Sequence, residues 1–384
     1  MTRDELTLLK SEELRRAIDE NIERDPTAVA LDSRVPHARL VATQIKYLQR
    51  ARRKLPRLYE ARCIIPPRAF EQSSSEESAR RKAIDGESIL DLTCGLGIDS
   101  LAFAERFKRV VALERDEILA EVVRYNMALL GIDNVEVIAI TAEEYLANCT
   151  EQFDWLFADP DRRSDKGQKM VCLEDCSPNI AALRPNIERV ARRIGLKLSP
   201  LFDVEEAFRL FPRSEVEVVS LGGECKEINI YTGAERDTLT IAAVGLGERL
   251  FEREAMQTMG TQDMFTPDDY RFLIVPDVAL QKGRVAIAAL KPYASIWSNN
   301  GYAFAPELPQ GPPLGRAYAI ERIERYHPRD LKRRFKGVGI EILKRDTALT
   351  IDAVRKAIGA RAGGERTVVI TTVADENWFI ELKN

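Results

Sequence analysis

The stretch Ile89-Leu90-Asp91-Leu92-Thr93-Cys94-Gly95-Leu96-Gly97-Ile98-Asp99 reads as an apolar strand that runs into a glycine-containing turn and then a helix. Glycines at such a turn let a ligand approach the backbone at the carboxyl end of the strand, where open α/β sheets bind nucleotides. A Gly-x-Gly alone is a weak signal, and Asp91 is what sharpens it. A carboxylate at this turn repels a dinucleotide pyrophosphate and favours a ligand with positive charge; S-adenosylmethionine carries both an ammonium and a sulfonium. Ser100 stands where a dinucleotide fingerprint has its third glycine, which further disfavours an NAD-dependent oxidoreductase.

Glu114 closes the next apolar run, Val110-Val111-Ala112-Leu113, a position from which a carboxylate accepts hydrogen bonds from both hydroxyls of a ribose. Thr141-Ala142-Glu143 follows the third run, with Glu143 either facing an adenine amine or capping a helix. A second constellation, Phe153-Asp154-Trp155-Leu156-Phe157-Ala158-Asp159-Pro160-Asp161-Arg162-Arg163, puts Asp159 at the end of a buried strand that faces the same crevice as Asp91. There Asp159 can accept a hydrogen bond from a nucleophilic nitrogen and orient its lone pair towards a methyl donor. Arg162 and Arg163 have the chemistry to clamp a phosphate or carboxylate. The alternative is a loop salt bridge. Two basic runs remain, Lys46, Arg50, Arg52, Arg53, Lys54 and Arg57, then Arg322, Arg325, Arg329, Lys332, Arg333, Arg334 and Lys336. Each is either a phosphate-tracking surface or a solvated helix face.

The elements that must position these groups follow from the pattern around them. At 384 residues, with 45% hydrophobic and 31% charged residues, the chain is long enough for two or three folded units. The formal charge of -4 gives no global attraction to nucleic acid, so an anionic partner must be met by a local patch. Six scattered cysteines and two histidines argue for reduced thiols and against a metal site. The absence of a long apolar run or a signal-like start argues for a cytoplasmic protein without a membrane segment. Residues 1–60 have helical periodicity, and a short capped helix is expected over 74–83. From Glu87 short apolar runs alternate with amphipathic stretches, including a helix from Glu117 to Leu130 between Asp116 and Gly131, the mark of a parallel sheet covered by helices. Val216–Leu221, Ile228–Tyr231 and Leu239–Val244 read as successive antiparallel strands at the sheet edge. Residues 246–267 read as a strandless linker, 279–290 as one helix, and the remainder as two small α+β modules.

Asp91-Leu-Thr-Cys-Gly-Leu-Gly, Glu114 and Asp159-Pro-Asp-Arg-Arg together resemble class I S-adenosylmethionine-dependent methyltransferases, in a subgroup with an Asp-Pro-x-Arg-Arg signature. Gln72-Ser-Ser-Ser-Glu76, Lys197-Leu-Ser-Pro200, Gly223-Glu-Cys-Lys-Glu227 and Thr371-Thr-Val-Ala-Asp375 extend the resemblance over nearly the whole chain. It implies a Rossmann-like seven-stranded α/β sheet with the last strand antiparallel. Around it the resemblance places a helical region at 1–60, a methyltransferase domain at 61–245, a linker and ferredoxin-like module at 246–325, and a THUMP-like domain at 326–384. It also implies S-adenosylmethionine as donor and RNA as acceptor. The residue reading and the resemblance together assign the donor to Asp91, Thr93, Cys94, Gly95, Gly97, Glu114, Arg115, Ala142, Glu143 and Asp159. They assign transfer to Asp159, Pro160, Arg162 and Arg163, and acceptor contacts to Gln72, Ser74, Ser75, Lys197 and Ser199. Related enzymes that methylate a guanine amine carry Asp-Pro-Pro and a stacking aromatic; here Asp161 and Arg162 replace the second proline and the aromatic, leaving the acceptor atom open. A protein or small anionic metabolite as acceptor, and a catalytically silent RNA-binding protein, are the competing readings.

Overall fold

The structure is a computed structural model that describes residues 1–82, 84–162, 173–308, 311 and 313–383. It divides into two compact units, Met1–Lys197 and Leu198–Asn384.

The first unit opens with helices α1 (Arg3–Lys10), α2 (Glu12–Asn21), α3 (Pro26–Ala30), α4 (Ala38–Lys54), α5 (Pro56–Glu60), α6 (Pro67–Gln72) and α7 (Glu76–Arg81). Local chemistry sets their starts: Asp25 caps α3 ahead of Pro26, and the Ser75 hydroxyl accepts from the Ser78 N–H at 3.1 Å to begin α7. Strands β1 (Gly86–Asp91), β2 (Phe107–Glu114), β3 (Val135–Ala139), β4 (Phe153–Ala158) and β7 (Ala191–Leu198) then alternate with α8 (Ile98–Phe103), α9 (Glu117–Leu129), α10 (Ala142–Asn148) and α11 (Ile180–Val190). The short pair β5 (Asp161–Arg162) and β6 (Cys176–Ser177) lies between β4 and α11.

The sheet of this unit runs in the order β3-β2-β1-β4-β7 with every neighbour parallel. The chain leaves β1 in one direction for β2 and β3 and in the other for β4 and β7. This reversal opens a crevice at the carboxyl ends of β1 and β4. The leading helices are not a separate layer: Leu14, Ile45 and Leu48 share one buried core with Leu101 of α8 and Val123 of α9. Ion pairs from Arg3 to Glu117 and Lys10 to Glu121 follow the α9 surface at one-turn intervals, and Asn126 exchanges two 2.9 Å hydrogen bonds with the backbone of Ile64.

In the second unit β8 (Ser214–Leu221), β9 (Glu224–Thr232), β10 (Thr238–Val244) and β11 (Gly247–Glu252) lie in the order β11-β10-β8-β9, preceded by α12 (Val204–Leu210). β9 is antiparallel to β8, but β10 is parallel to β8, which corrects the expected antiparallel succession. The link 233–237 crosses the start of β8, where the Arg213 carbonyl accepts from Gly233 and Ala234 and the Asp237 carboxylate accepts from the Ser214 N–H. The expected linker at 246–267 is also corrected. A turn at Gly245 (φ +84°) returns the chain as β11 antiparallel to β10, an edge strand whose side chains are mostly exposed and so carry little apolar periodicity.

Residues 279–290 form two helices, α13 (Val278–Lys282) and α14 (Ala286–Leu290), broken at Gly283 and at Arg284 with φ +54°. Strands β12 (Phe272–Pro276), β13 (Ser295–Ile296), β14 (Ala303–Ala305), β15 (Gly315–Arg325), β16 (Gly339–Lys344), β17 (Arg361–Ala362), β18 (Arg366–Val373) and β19 (Glu376–Leu382) join, among the described residues, into one sheet of order β13-β14-β12-β15-β19-β18-β16-β17. β15 links its halves: residues 315–319 pair with β12 and residues 320–325 with β19, with a register shift between Ile320 and Arg322. α15 (Pro328–Phe335) and α16 (Ile351–Ile358) bury Leu331, Phe335, Val354 and Ile358 in a core with Ile340, Ile342 and Phe379.

Candidate functional site

The turn after β1 is organised around Asp91, whose side chain is fully buried. Its Oδ2 accepts from the Ser100 hydroxyl at 2.6 Å and its Oδ1 from the Thr93 N–H at 2.9 Å. Burial pushes the Asp91 carboxyl up to about 7, against the pull of those two donors, and neighbouring Asp99 and Asp159 push in the same direction as burial. Asp91 therefore orders the turn from beneath and supplies negative field rather than a free carboxylate at the surface. The Thr93 hydroxyl also accepts from the Asp159 N–H at 2.7 Å, which ties the donor turn to the end of β4.

Glu114 completes the turn from the adjacent strand. Its Oε2 accepts from the Gly95 N–H at 3.0 Å and its Oε1 from the Asp116 N–H at 2.9 Å. Burial raises its carboxyl, opposed by those same hydrogen bonds. Two glycines have different jobs. Gly95, at φ +54°, has no atom nearer than 3.9 Å to where a Cβ would stand, so its backbone is open to a ligand. Gly97, at φ +81°, has Val123 Cγ1 only 2.8 Å from that point, so it seats the turn against α9. Cys94 is buried, its thiol pushed well up by burial and by Asp91 and Glu114.

Around this floor stand the carboxyls of Asp91, Asp99, Asp159 and Glu114; Asp99 and Asp159 are paired with lysines, so the negative field of the turn comes chiefly from Asp91 and Glu114. That field suits a sulfonium and an ammonium and opposes a pyrophosphate, and Glu114 with the open Gly95 backbone suits a ribose, so the residues fit an adenosyl methyl donor. Of the other donor residues expected from sequence, Ala142 is buried at the first turn of α10 and Glu143 is exposed beside it. The capping carboxylate there is Glu144, which shares a capping box with Thr141. Arg115 is exposed and donates to the Ser177 hydroxyl at 3.3 Å.

Asp159, one-third exposed, forms an ion pair with Lys197 of β7. Burial raises the Asp159 carboxyl while Lys197 pulls it down. The Lys197 ammonium also donates to the Ser74 hydroxyl at 3.2 Å, and Ser74 donates to Asp99 Oδ2 at 3.0 Å. Asp99 Oδ1 pairs at 2.7 Å with Lys82, whose side chain is fully buried. The structure thus brings Ser74, Lys197 and Asp159 together. Pro160 is buried beside Asp159, Ser75 is occupied in capping α7, and Gln72 is exposed at the end of α6. Ser199, in the second unit, accepts from the Leu201 N–H at 3.1 Å. Arg162 pairs through its backbone with Cys176, and Arg163 lies outside the described residues. Sequence reasoning gave no role to Lys82 or Asp99: Lys82 fell in the short helix expected over 74–83, and only the fold shows its side chain buried.

The two basic runs differ. Arg50 pairs with Glu71, Arg52 with Glu23 and Arg57 with Glu105, so much of the first run is neutralised by acids from elsewhere in the unit. In the second, Arg325 pairs with Glu376 and Arg334 with Glu324 and Glu381. Arg329, Lys332, Arg333 and Lys336 stay exposed with no carboxylate partner among the described residues. Among the described residues no helix is long and apolar enough to cross a membrane, and no cluster of three or more His, Cys, Asp or Glu side chains could hold a metal ion.

Residues 315–384 match the family described as THUMP domain-like, and residues 64–156 match that of tRNA (uracil-5-)-methyltransferases. An uncharacterized S-adenosylmethionine-dependent methyltransferase of Mycobacterium tuberculosis is 24% identical over 332 residues, covering 83% of this chain and 87% of its own length. A tRNA/tmRNA (uracil-C(5))-methyltransferase of Shigella boydii is 32% identical over 136 residues, 30% of this chain and 37% of that enzyme. The crystal structure of a Porphyromonas gingivalis W83 protein assigned as a methyltransferase superposes with a TM-score of 0.78 at 24% identity, covering 96% of both chains, and shares the fold. Residues 315–384 form a THUMP-like domain, and the relative over most of the chain together with the shared fold supports a class I S-adenosylmethionine-dependent methyltransferase.

Proposed function

We propose that the enzyme methylates a base of a structured RNA in the cytoplasm, with Asp91, Glu114 and the Gly95 backbone holding the donor and Asp159 meeting the acceptor. The observation that carries the acceptor class is the exposed face of α15. Arg329, Lys332, Arg333 and Lys336 recur at helical spacing opposite buried Leu331 and Phe335, on the segment that resembles a THUMP domain. Unpaired cations on one face suit a phosphate backbone, whereas a helix that only needs solvation gains from nearby acids.

S-adenosylmethionine, when bound, supplies an electrophilic methyl group on sulfur. The protein's part is placement. Thr93 fixes the Asp159 backbone against the donor turn, and the Asp159 carboxylate accepts a hydrogen bond from the acceptor base and so orients its reacting atom. The uracil-C5 likeness spans residues 64–156 and ends inside β4, before Asp159 and Pro160. It supports the donor half and leaves the acceptor atom to chemistry downstream.

Filter binding to total RNA at graded salt, with tritiated-methyl transfer into RNA from a strain lacking the gene, tests the proposal. Four phosphate contacts predict a log-log salt slope of about -3 to -4, from single-stranded to duplex segments, and label in the RNA. Label appearing only in protein or small metabolites, with no salt-dependent RNA binding, would overturn it.

A further inference from the structure

We infer that Lys82, Asp99 and Ser74 form a buried positioning relay that holds Lys197 as an ammonium and, through it, holds the acceptor-facing carboxylate of Asp159 in place and ionised. The inference rests on the acceptor role given to Asp159 above.

Proton counting along the chain of contacts gives the relay its direction. Ser74 has one hydroxyl hydrogen and donates it to Asp99 Oδ2 at 3.0 Å. It must therefore accept at its oxygen from Lys197 Nζ, 3.2 Å away. The same Nζ pairs with the Asp159 carboxylate, which favours the ammonium, and an ammonium serves both partners with a hydrogen to spare. Asp99 must be ionised to anchor the far end. Burial alone would push its carboxyl up, yet Lys82 at 2.7 Å and Lys197 together hold it below the ordinary value.

Lys82 is an expensive residue to bury for a purely structural end. Its side chain is fully buried, and removing such a charge from water costs several kcal/mol unless it is paired. Its Nζ meets Asp99 and the Ser78 carbonyl at 3.3 Å, so alternating charges run Lys82, Asp99, Lys197, Asp159 from the interior to the crevice, with the Ser74 hydroxyl bridging the middle pair. The charged groups that face this line are Asp91 from β1 and Lys54 from α4, the latter flanked by Arg50 and Glu71. Lys54 and Lys197 repel one another, so the pairing of Lys197 with Asp159 and Ser74 has that repulsion to offset.

Ser74 gives the cleanest test, because it carries no charge and forms no hydrogen bond to Asp159. Any displacement of the Asp159 titration in Ser74→Ala must travel through the two groups that Ser74 bridges, Lys197 and Asp99, and Lys197→Met isolates the share carried by the first. In protein labelled with 13C at aspartate carboxyls, the Asp159 signal is assigned by its loss in Asp159→Asn and followed against pH. The midpoint is expected to rise by about half a unit to one unit in Ser74→Ala, a three- to tenfold change in proton affinity. Ser74→Cys, near in shape but a poor acceptor, must move it in the same direction, and Ser74→Thr must restore it. Lys197→Met sets the upper limit, a rise of about 1–3 units. Calorimetry with S-adenosylhomocysteine on each variant verifies that the donor half is intact. An Asp159 midpoint unmoved in both Ser74→Ala and Ser74→Cys, with donor binding retained, overturns the relay. The titration needs no acceptor, so it decides the relay independently of methyl transfer to RNA, which decides the acceptor.

Discussion

Replacing Asp91 by asparagine should make the first unit more stable and the enzyme worse at holding its donor. The carboxyl is raised from 3.8 to about 7 by burial, a shift of about three units, and each unit is worth 1.36 kcal/mol. The sign follows from where the proton sits. Below about pH 4 the aspartate is protonated in both folded and unfolded chains, and burial imposes no charge penalty. Between about pH 4 and 7 the unfolded chain has released its proton while the folded chain keeps it, so stability falls as pH rises and the full loss of about 4 kcal/mol is reached above pH 7. Asparagine has the same shape. Its carbonyl can accept from Thr93, and the Ser100 hydroxyl can turn to accept from its amide, so it avoids the penalty without losing the turn. Urea unfolding read from Trp155, which lies in β4 opposite Ile89, reports on this unit once Trp297 and Trp378 are replaced by phenylalanine. Wild type and Asp91→Asn should coincide near pH 4 and separate steadily until the variant leads by several kcal/mol at pH 8. Calorimetry at pH 8 should show S-adenosylhomocysteine affinity reduced about tenfold or more, because the negative field beneath the turn is gone. A stability difference that does not change between pH 4 and 8 would refute the reasoning.

The two turn glycines should fail differently: Gly97→Ala meets Val123 Cγ1 at 2.8 Å and adopts φ +81°, costing about 1–3 kcal/mol in urea unfolding, and Val123→Ala in the same chain should recover only the part due to the clash. Gly95→Ala has room for its methyl group and should cost only about 1 kcal/mol of stability, yet calorimetry should show donor binding sharply weakened because the methyl occupies the ligand's approach. Glu114→Gln can accept from only one of the Gly95 and Asp116 N–H groups and should weaken S-adenosylhomocysteine binding by about 1–3 kcal/mol. Replacing Arg329, Lys332, Arg333 and Lys336 by glutamine should flatten the salt dependence of RNA binding by about three to four units of slope while leaving donor affinity unchanged.

What the sequence made legible was local. Asp116 and Gly131 frame α9 because one caps the first turn, accepting from Ile118 and Leu119, and the other adopts φ +67° at the end. The Asp91 turn was legible for the same reason, since strand, glycines and helix are contiguous. What depended on distant partners was not. Glu71, 21 residues away, neutralises Arg50, and Lys197 reaches Ser74 across 123 residues, so neither the fate of the first basic run nor the relay is written in any window of sequence. β11 escaped because an exposed edge strand needs few apolar residues, and the parallel placement of β10 because five linking residues do not announce that they cross the start of β8.

The double pairing of β15 sets where this protein can be divided. The THUMP-like match begins at residue 315, but cutting there would strip β12 of one of its two partners and leave β15 half unpaired, creating two raw edges that recruit other chains. The evolutionary module and the cooperative folding unit therefore do not coincide. The strands from β12 onward should gain and lose hydrogen-exchange protection together, and a deletion that respects the family boundary should aggregate where one that begins ahead of β12 does not.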